Sequence, residues 1–408
     1  MAKDLKSRSA PIPSQTCGAL LSVLVLLVSS PRAAANPSIP RDDQQVLEQL
    51  PGRSTAAEAR ELRRERTELA NDPENLRTSL ALARTYIEKS RAESDPRYLG
   101  FAQATLNPWW NLPQPPIEVL ILRATIRQST HDFKAALADL DLALKADPTH
   151  AQAWLTRAVI LQVQGDYEAA KKACLPLFRL TSELVTVTCA SSIASLNGEA
   201  SKSYELLRRV YESNPSAASN ERLWCLTVMA EIAARLGRAG EAESHFNEAL
   251  ALAQRDGYLL GAYADFLLDR ERASEVINLL QNETRSDGLL LRLALAENAL
   301  TPKPPGIQQH IASLRDRFSA SRQRGDTVHR REEARFTLHL LHEPKQALRL
   351  ALENWSVQCE PADARVLMES ALAAKDFQTV QPVLSWLEKN RLEDVHLSKL
   401  ANQLRALR

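Results

Sequence analysis

The sequence predicts an all-α solenoid of stacked antiparallel helix pairs, and three observations predict it. Related residues recur 34 positions apart: Ala124 and Ala158, Phe133 and Tyr167, Ala136 and Ala170, Leu140 and Cys174. Each segment repeats one order: a small residue, an aromatic or Gly turn, then a second small residue with a large apolar one four positions on. The chain of 408 residues is 44% hydrophobic and 25% charged, which excludes wholesale disorder and collagen-like repetition. A single helix pair cannot bury its own apolar face, so pairs at this period must stack.

Residues 1–35 read as a signal peptide. Lys3, Lys6 and Arg8 precede an apolar run from Ala19 to Val28, and Ala33, Ala34 and Ala35 follow a break at Ser29, Ser30 and Pro31. The apolar run is too short to cross a bilayer, which needs roughly 20 residues. Cleavage is expected after Ala35. It removes Lys3, Lys6, Arg8 and Arg32 against Asp4, which turns totals of 51 basic and 50 acidic residues into a slight acid excess. No later run is long enough to span a membrane. The expectation is an exported, soluble mature protein, periplasmic in a bacterium, with secretion as the alternative. A near-neutral balance excludes a generally basic nucleic-acid binder.

Residues 36–58 are polar and Pro-containing and read as an exposed arm. Residues 59–281 carry the N-terminal and central array. A helix is expected from Thr55 to Leu69, and the unit from Leu76 carries Ala83 and Tyr86 but an apparent insertion around Arg91 to Arg97. Pro176 falls inside a second helix and should end or kink it. Residues 282–358 are a degenerate stretch in which Leu289–Leu300 with Gly306–Phe318, and Glu332–Leu341 with Lys345–Trp355, read as two further pairs. Residues 359–408 hold a last repeat and a closing helix, whose Leu397, Leu400 and Leu404 make an apolar stripe.

Beyond residue 35 the cysteines are Cys174, Cys189, Cys225 and Cys359. The register puts Cys174 and Cys189 on neighbouring helices, so a disulfide between them is one reading and two buried free thiols the other. Catalytic signatures are missing: no phosphate loop, His-Glu-x-x-His, Cys-x-x-Cys or Gly-x-Ser-x-Gly motif occurs. His339 and His342, near His329 and Glu333, lack a third ligand at a known spacing, and helix-surface histidines are the simpler reading. Arg315, Arg317, Arg322, Arg324, Arg330, Arg331 and Arg335 read as a solvated face diluted by acids. Asn282 and Asn354 match the glycosylation acceptor pattern. Trp109 and Trp110, among prolines, are a possible surface contact. They also fit packing onto the segment Arg91–Tyr98.

The residues Ala151, Trp154, Ala158, Gly165, Asp166, Tyr167 and Ala170, with Asp147-Pro148 closing the preceding unit, resemble the tetratricopeptide repeat family over roughly residues 76 to 394. The resemblance implies a right-handed superhelix with first helices lining a concave groove. A partner would there meet Gln128, Ser129, Gln152, Leu155, Val159, Gln162, Val163, Thr188, Ser192 and Ser195, a neutral set without the basic clamp some members use for a terminal carboxylate. Further along, Trp224, Glu231, Arg235, Tyr258, Asp265 and Asp269 add aromatic and charged groups. The implied function is a non-catalytic extracytoplasmic scaffold or adaptor for a protein or peptide, needing no cofactor. The alternatives are an accessory subunit of a polysaccharide or peptidoglycan machine and a self-assembling structural element.

Overall fold

A computed structural model of the chain describes residues 56–252, 255–326 and 328–407. The signal peptide expected at residues 1–35 and most of the arm expected at 36–58 lie outside these residues. Side-chain caps set many of the helix starts. The carboxylates of Asp132, Asp166, Asp256 and Asp394 accept from Ala135, Ala169, Leu259 and Leu397 backbone N–H groups, and the Ser182 hydroxyl accepts from Val185. Each such bond satisfies a donor that the first helical turn leaves free.

The described helices are α1 (Ala56–Asn71), α2 (Leu76–Glu93), α3 (Arg97–Thr105), the short α4 (Asn107–Trp110), α5 (Ile117–Ser129), α6 (Phe133–Ala146), α7 (Ala151–Val163), α8 (Tyr167–Cys174), α9 (Glu183–Ala194), α10 (Ala200–Ser213) and α11 (Ser219–Arg235). They continue as α12 (Ala239–Ala251), α13 (Gly257–Leu268), α14 (Ala273–Leu280), α15 (Asp287–Ala299), α16 (Ile307–Gln323), α17 (Arg330–His339), α18 (Pro344–Trp355), α19 (Pro361–Ala374), α20 (Gln381–Asn390) and α21 (Val395–Arg405). From α5 to α19 each first helix packs against the first helix of the next pair. The stacking passes through residue 282 without a break, because α14 packs on α15.

The recurring small residues explain the approach. Ala124, Ala158, Ala230 and Ala264 are fully buried between first helices, and Ala136, Ala170 and Ala242 do the same on second helices. Leu140, Leu207 and Phe246 fill the space between layers. Each such side chain contributes roughly 2 kcal/mol of burial. Pro176 acts as expected: α8 stops at Cys174 and the chain continues as a 3₁₀ turn, Leu175–Arg179.

One local expectation is corrected, while the helix expected from Thr55 to Leu69 is described from Ala56 to Asn71. The segment around Arg91 to Arg97 is no insertion but the turn of the first pair, α2 and α3. Ser94 takes the left-handed conformation, and the Asp95 carboxylate accepts from the Arg97 backbone N–H at 3.1 Å.

The solenoid winds back onto itself. Arg255 donates to the Ala92 carbonyl at 2.7 Å, and Arg285 pairs with Asp95 at 3.4 Å, across 163 and 190 residues. Further on, the Cys359 N–H donates to the Val163 carbonyl at 2.8 Å, and the Ala200 N–H donates to Glu393 at 2.6 Å across 193 residues. In each case the turn joining the two helices of an early pair meets a loop between pairs of the later turn. Successive superhelical turns therefore touch along a seam.

Candidate functional site: the axis and the seam

The first helices α11, α13, α15, α17 and α19 bring charged side chains together on the axis of the solenoid. Asp265 on α13 receives Arg292 from α15 and Arg335 from α17, both at 2.6 Å. One turn on, Asp269 receives Arg365 of α19 at 2.6 Å and faces His396 of α21 at 3.7 Å. Glu369 joins Arg365 at 2.8 Å and His339 at 3.1 Å. Arg331 lies within 3.3 to 3.5 Å of Glu332, Glu360 and Asp363.

Burial sets the protonation of this cluster, and its arginines decide the sign. Burial opposes ionisation of Asp265, but Arg292 and Arg335 outweigh it and hold the carboxyl below its ordinary range. Glu332, buried but beside Arg331, is held at about 2. Glu369 is buried too, and the His339 hydrogen bond and Arg365 hold it at about 2. Glu360 goes the other way: burial and the charge of Asp363 outweigh Arg331 and push it to about 7. Burial likewise raises Glu231. Tyr258, which donates to Glu231 at 2.6 Å, keeps 64% of its surface accessible. The negative charge of Glu231, ahead of burial, holds its phenol well above the ordinary value.

The groove residues expected from the sequence divide. Gln152 is exposed and Leu155 and Val159 are half-buried on α7. Ser129 is exposed, its hydroxyl bonded to the Thr125 carbonyl, and Gln128 is half-buried. Ser192 donates to Gln162 at 3.0 Å, and the Val163 carbonyl is taken by Cys359. Thr188 and Ser195 are buried and cannot meet a partner. The Thr188 hydroxyl bonds the Leu184 carbonyl, and Arg235 donates to the Ser195 hydroxyl at 2.7 Å, because the tight winding presses α11 against α9.

Other candidates also find their places. Cys174 and Cys189 are joined, with their Cα atoms 6.2 Å apart, while Cys225 and Cys359 are free. A closed loop of this size contributes about 3 kcal/mol on the chain-entropy estimate. Trp109 and Trp110 are half-buried against the cluster of Tyr86, Leu99 and Leu106, on which Tyr98 also packs, with Arg127 over the Trp110 ring. Asn354 is buried and donates to Asp363 at 2.8 Å, so its acceptor motif is out of reach. The arginine stretch is dispersed, not one face: Arg331 and Arg335 point to the axis, Arg317 pairs with Asp287, Arg322 with Glu333, and Arg330 with Glu353. No group of metal-ligating side chains occurs among the described residues. No helix among them is long and apolar enough to cross a membrane.

Sequence reasoning missed the seam. Gly165 and Gly198 sit at φ near +76 to +77, and an added Cβ would lie 3.3 Å from the Cys359 Cβ and 3.1 Å from the Arg391 Cβ respectively. The signal was there: these turns carry Gly, whereas the later turns carry Glu271, His342 and Lys375 at the same left-handed conformation.

No family model matches the sequence, and no curated protein matches it. Among solved structures, a tetratricopeptide repeat protein from Parabacteroides merdae is similar at 13% identity and a TM-score of 0.36, covering 72% of this chain and 97% of that one. The P58(IPK) TPR domain is similar at 15% identity and 0.23, covering 81% and 97%. The all-α fold of stacked helix pairs rests on the packing described above.

Proposed function

We propose that the chain is a non-catalytic, exported scaffold that holds a protein or peptide segment on the axis-facing side of its first helices. The observation that carries this reading is the accessible row on α7. Gln152 is exposed, and Leu155 and Val159 are half-buried, so hydrogen bonds and apolar contacts are offered together. On the axis, the charges of Asp265, Asp269 and Glu369 are already taken up by arginines, which leaves ion pairing a minor part of recognition. Export is supported by the leader in residues 1–35 and by the Cys174–Cys189 bond, which an oxidising compartment favours.

The polysaccharide reading needs a flat, open aromatic platform. Trp109 and Trp110 are half-buried and one face of Trp110 is covered by Arg127, so they support it weakly.

The test is photocrosslinking in cells from Gln152, with Val159→Asp as the comparison. One saturable protein adduct that the Val159→Asp change removes supports the proposal. A folded protein that yields no adduct from Gln152 overturns it. N-terminal sequencing of the secreted or periplasmic fraction, expected to begin after Ala35, tests export separately.

A further inference from the structure

We propose that the 3₁₀ turn Leu175–Arg179 is a membrane-docking ridge. It lays Leu175 and Phe178 into the surface of an anionic lipid bilayer, while the basic residues beside them meet the headgroups.

The ridge follows from the local backbone. From Tyr167 to Arg179 the inward side includes Ala170, Ala173, Cys174 and Leu177, all buried. Pro176 ends α8, and the tighter turn that follows has about three residues per turn, so side chains three apart stand one above the other. Leu175 and Phe178 are that pair. They are 62% and 63% exposed, more than any other large apolar residue among the described ones except Tyr258, whose hydroxyl is held by Glu231. Neither joins the cluster beneath, to which Cys174 and Leu177 belong. Single exposed leucines are ordinary, but two stacked apolar side chains without a partner mark a contact surface. The turn is also held in place. Leu177 anchors it, Cys174 at its start is bonded to Cys189 of α9, and it packs on α7 and α9. A turn held this way loses little conformational freedom when it binds.

Charge selects the occupant. Lys171, Lys172 and Arg179 flank the ridge against Glu168 alone, which pairs with Lys171 at 3.6 Å. Lys172 and Arg179 are exposed and have no carboxylate partner among the described residues. Apolar and basic residues meet in the same way on the second helices to either side. Leu142 on α6 precedes Lys145 by three positions, and Leu206 on α10 lies between Lys202 and Arg209 at spacings of four and three. All five of these side chains are exposed. A symmetric contact between two copies would set Lys172 and Arg179 against their own counterparts. A protruding ridge offers a peptide neither an unpaired strand edge nor a groove to lie in. A bilayer needs neither, and it joins a negative face to an apolar interior. Two inserted side chains alone hold a surface weakly, so docking needs the ridge and the charges together. The ridge lies on the second-helix side and the partner reading uses first helices, so each stands or fails separately.

Vesicle flotation of the chain from residue 36 onward, with the arm present, tests the ridge. Vesicles of equal parts phosphatidylcholine and phosphatidylglycerol should bind it at least about tenfold better than phosphatidylcholine alone. Leu175→Ser with Phe178→Ser, and separately Lys172→Glu with Arg179→Glu, should each lower that binding about tenfold or more. All four side chains are exposed, so thermal melting should be unchanged in both variants. Equal flotation with the two lipids, flotation with neither, or undiminished binding by either variant overturns the proposal. A dimer in light scattering that the Leu175→Ser, Phe178→Ser change dissolves also overturns it, because the ridge would then face a second copy. So does a protein adduct formed without vesicles from a photoreactive residue in place of Phe178.

Discussion

The two edges of the solenoid solve the same backbone problem with different residues. Among the described residues, every helix pair from α2–α3 to α19–α20 except α15–α16 turns through a left-handed residue. On the covered edge Gly165, Gly198 and Gly237 take it, each close against Cys359, Arg391 or Val395. On the open edge Glu271, His342 and Lys375 take it, and all three are exposed. At three of the five turns against which another turn of chain lies, the Cβ is absent. Where only water lies beyond, a charged or polar side chain is kept despite its backbone strain. The covered turns without Gly obey the same geometry by other means: Ser94 faces Gly257, which yields the space, and the His131 ring receives the Gln358 amide.

The comparison predicts its largest effect at Gly198. Gly198→Ala combines left-handed strain with a Cβ 3.1 Å from that of Arg391, and should cost about 2–4 kcal/mol. Gly325 shares the conformation, φ +72, but has nothing within 4 Å. Gly325→Ala should therefore cost about 1 kcal/mol. Urea unfolding of the two variants isolates the contact from the strain, and equal losses would dissolve the distinction between the edges.

The ionic axis behind the covered edge should fail in acid. Glu332 and Glu369 sit at about 2 in the folded chain, against 4.5 ordinarily. Their stabilisation is fully present above about 4.5 and is lost as pH falls toward 2. Glu369→Gln should cost about 2–3 kcal/mol at pH 7 and progressively less below pH 4. A pH-independent loss in urea titrations would contradict the assignment.

Glu360 reverses the sign. Its folded value of about 7 exceeds the ordinary one, so its burial destabilises above pH 7 and ceases to matter below about 4.5. Glu360→Gln should stabilise by about 1–2 kcal/mol at pH 8, with the gain gone near pH 4.5. The smallest effect belongs to the open edge. Lys375→Gly relieves strain with no contact to lose and should change stability by less than about 1 kcal/mol, toward stabilisation.

Helix pairs were legible because their signal is local and repeated. Ala124, Ala158, Ala230 and Ala264 recur at the point where one first helix crosses the next. The degree of winding was not legible. It accumulates from small rotations between pairs, and no single residue encodes it. For this reason Thr188 and Ser195 read as groove and are buried, and Arg331 and Arg335 read as solvated and lie on the axis. Trp224, Glu231, Arg235, Tyr258, Asp265 and Asp269 were legible as facing inward, but not what they face: the arginines come from α15, α17 and α19.

The turn-on-turn winding has a direct test at a second place on the seam. At Gly257 a Cβ would lie 3.1 Å from the Ser94 Cβ, close to the span of a disulfide. Ser94→Cys combined with Gly257→Cys, oxidised and mapped by mass, should give one bond between the two introduced thiols, within a single chain. Both thiols free in a folded, oxidised protein would mean that the first turn of helices does not rest on the next, and the wound-back solenoid would be wrong.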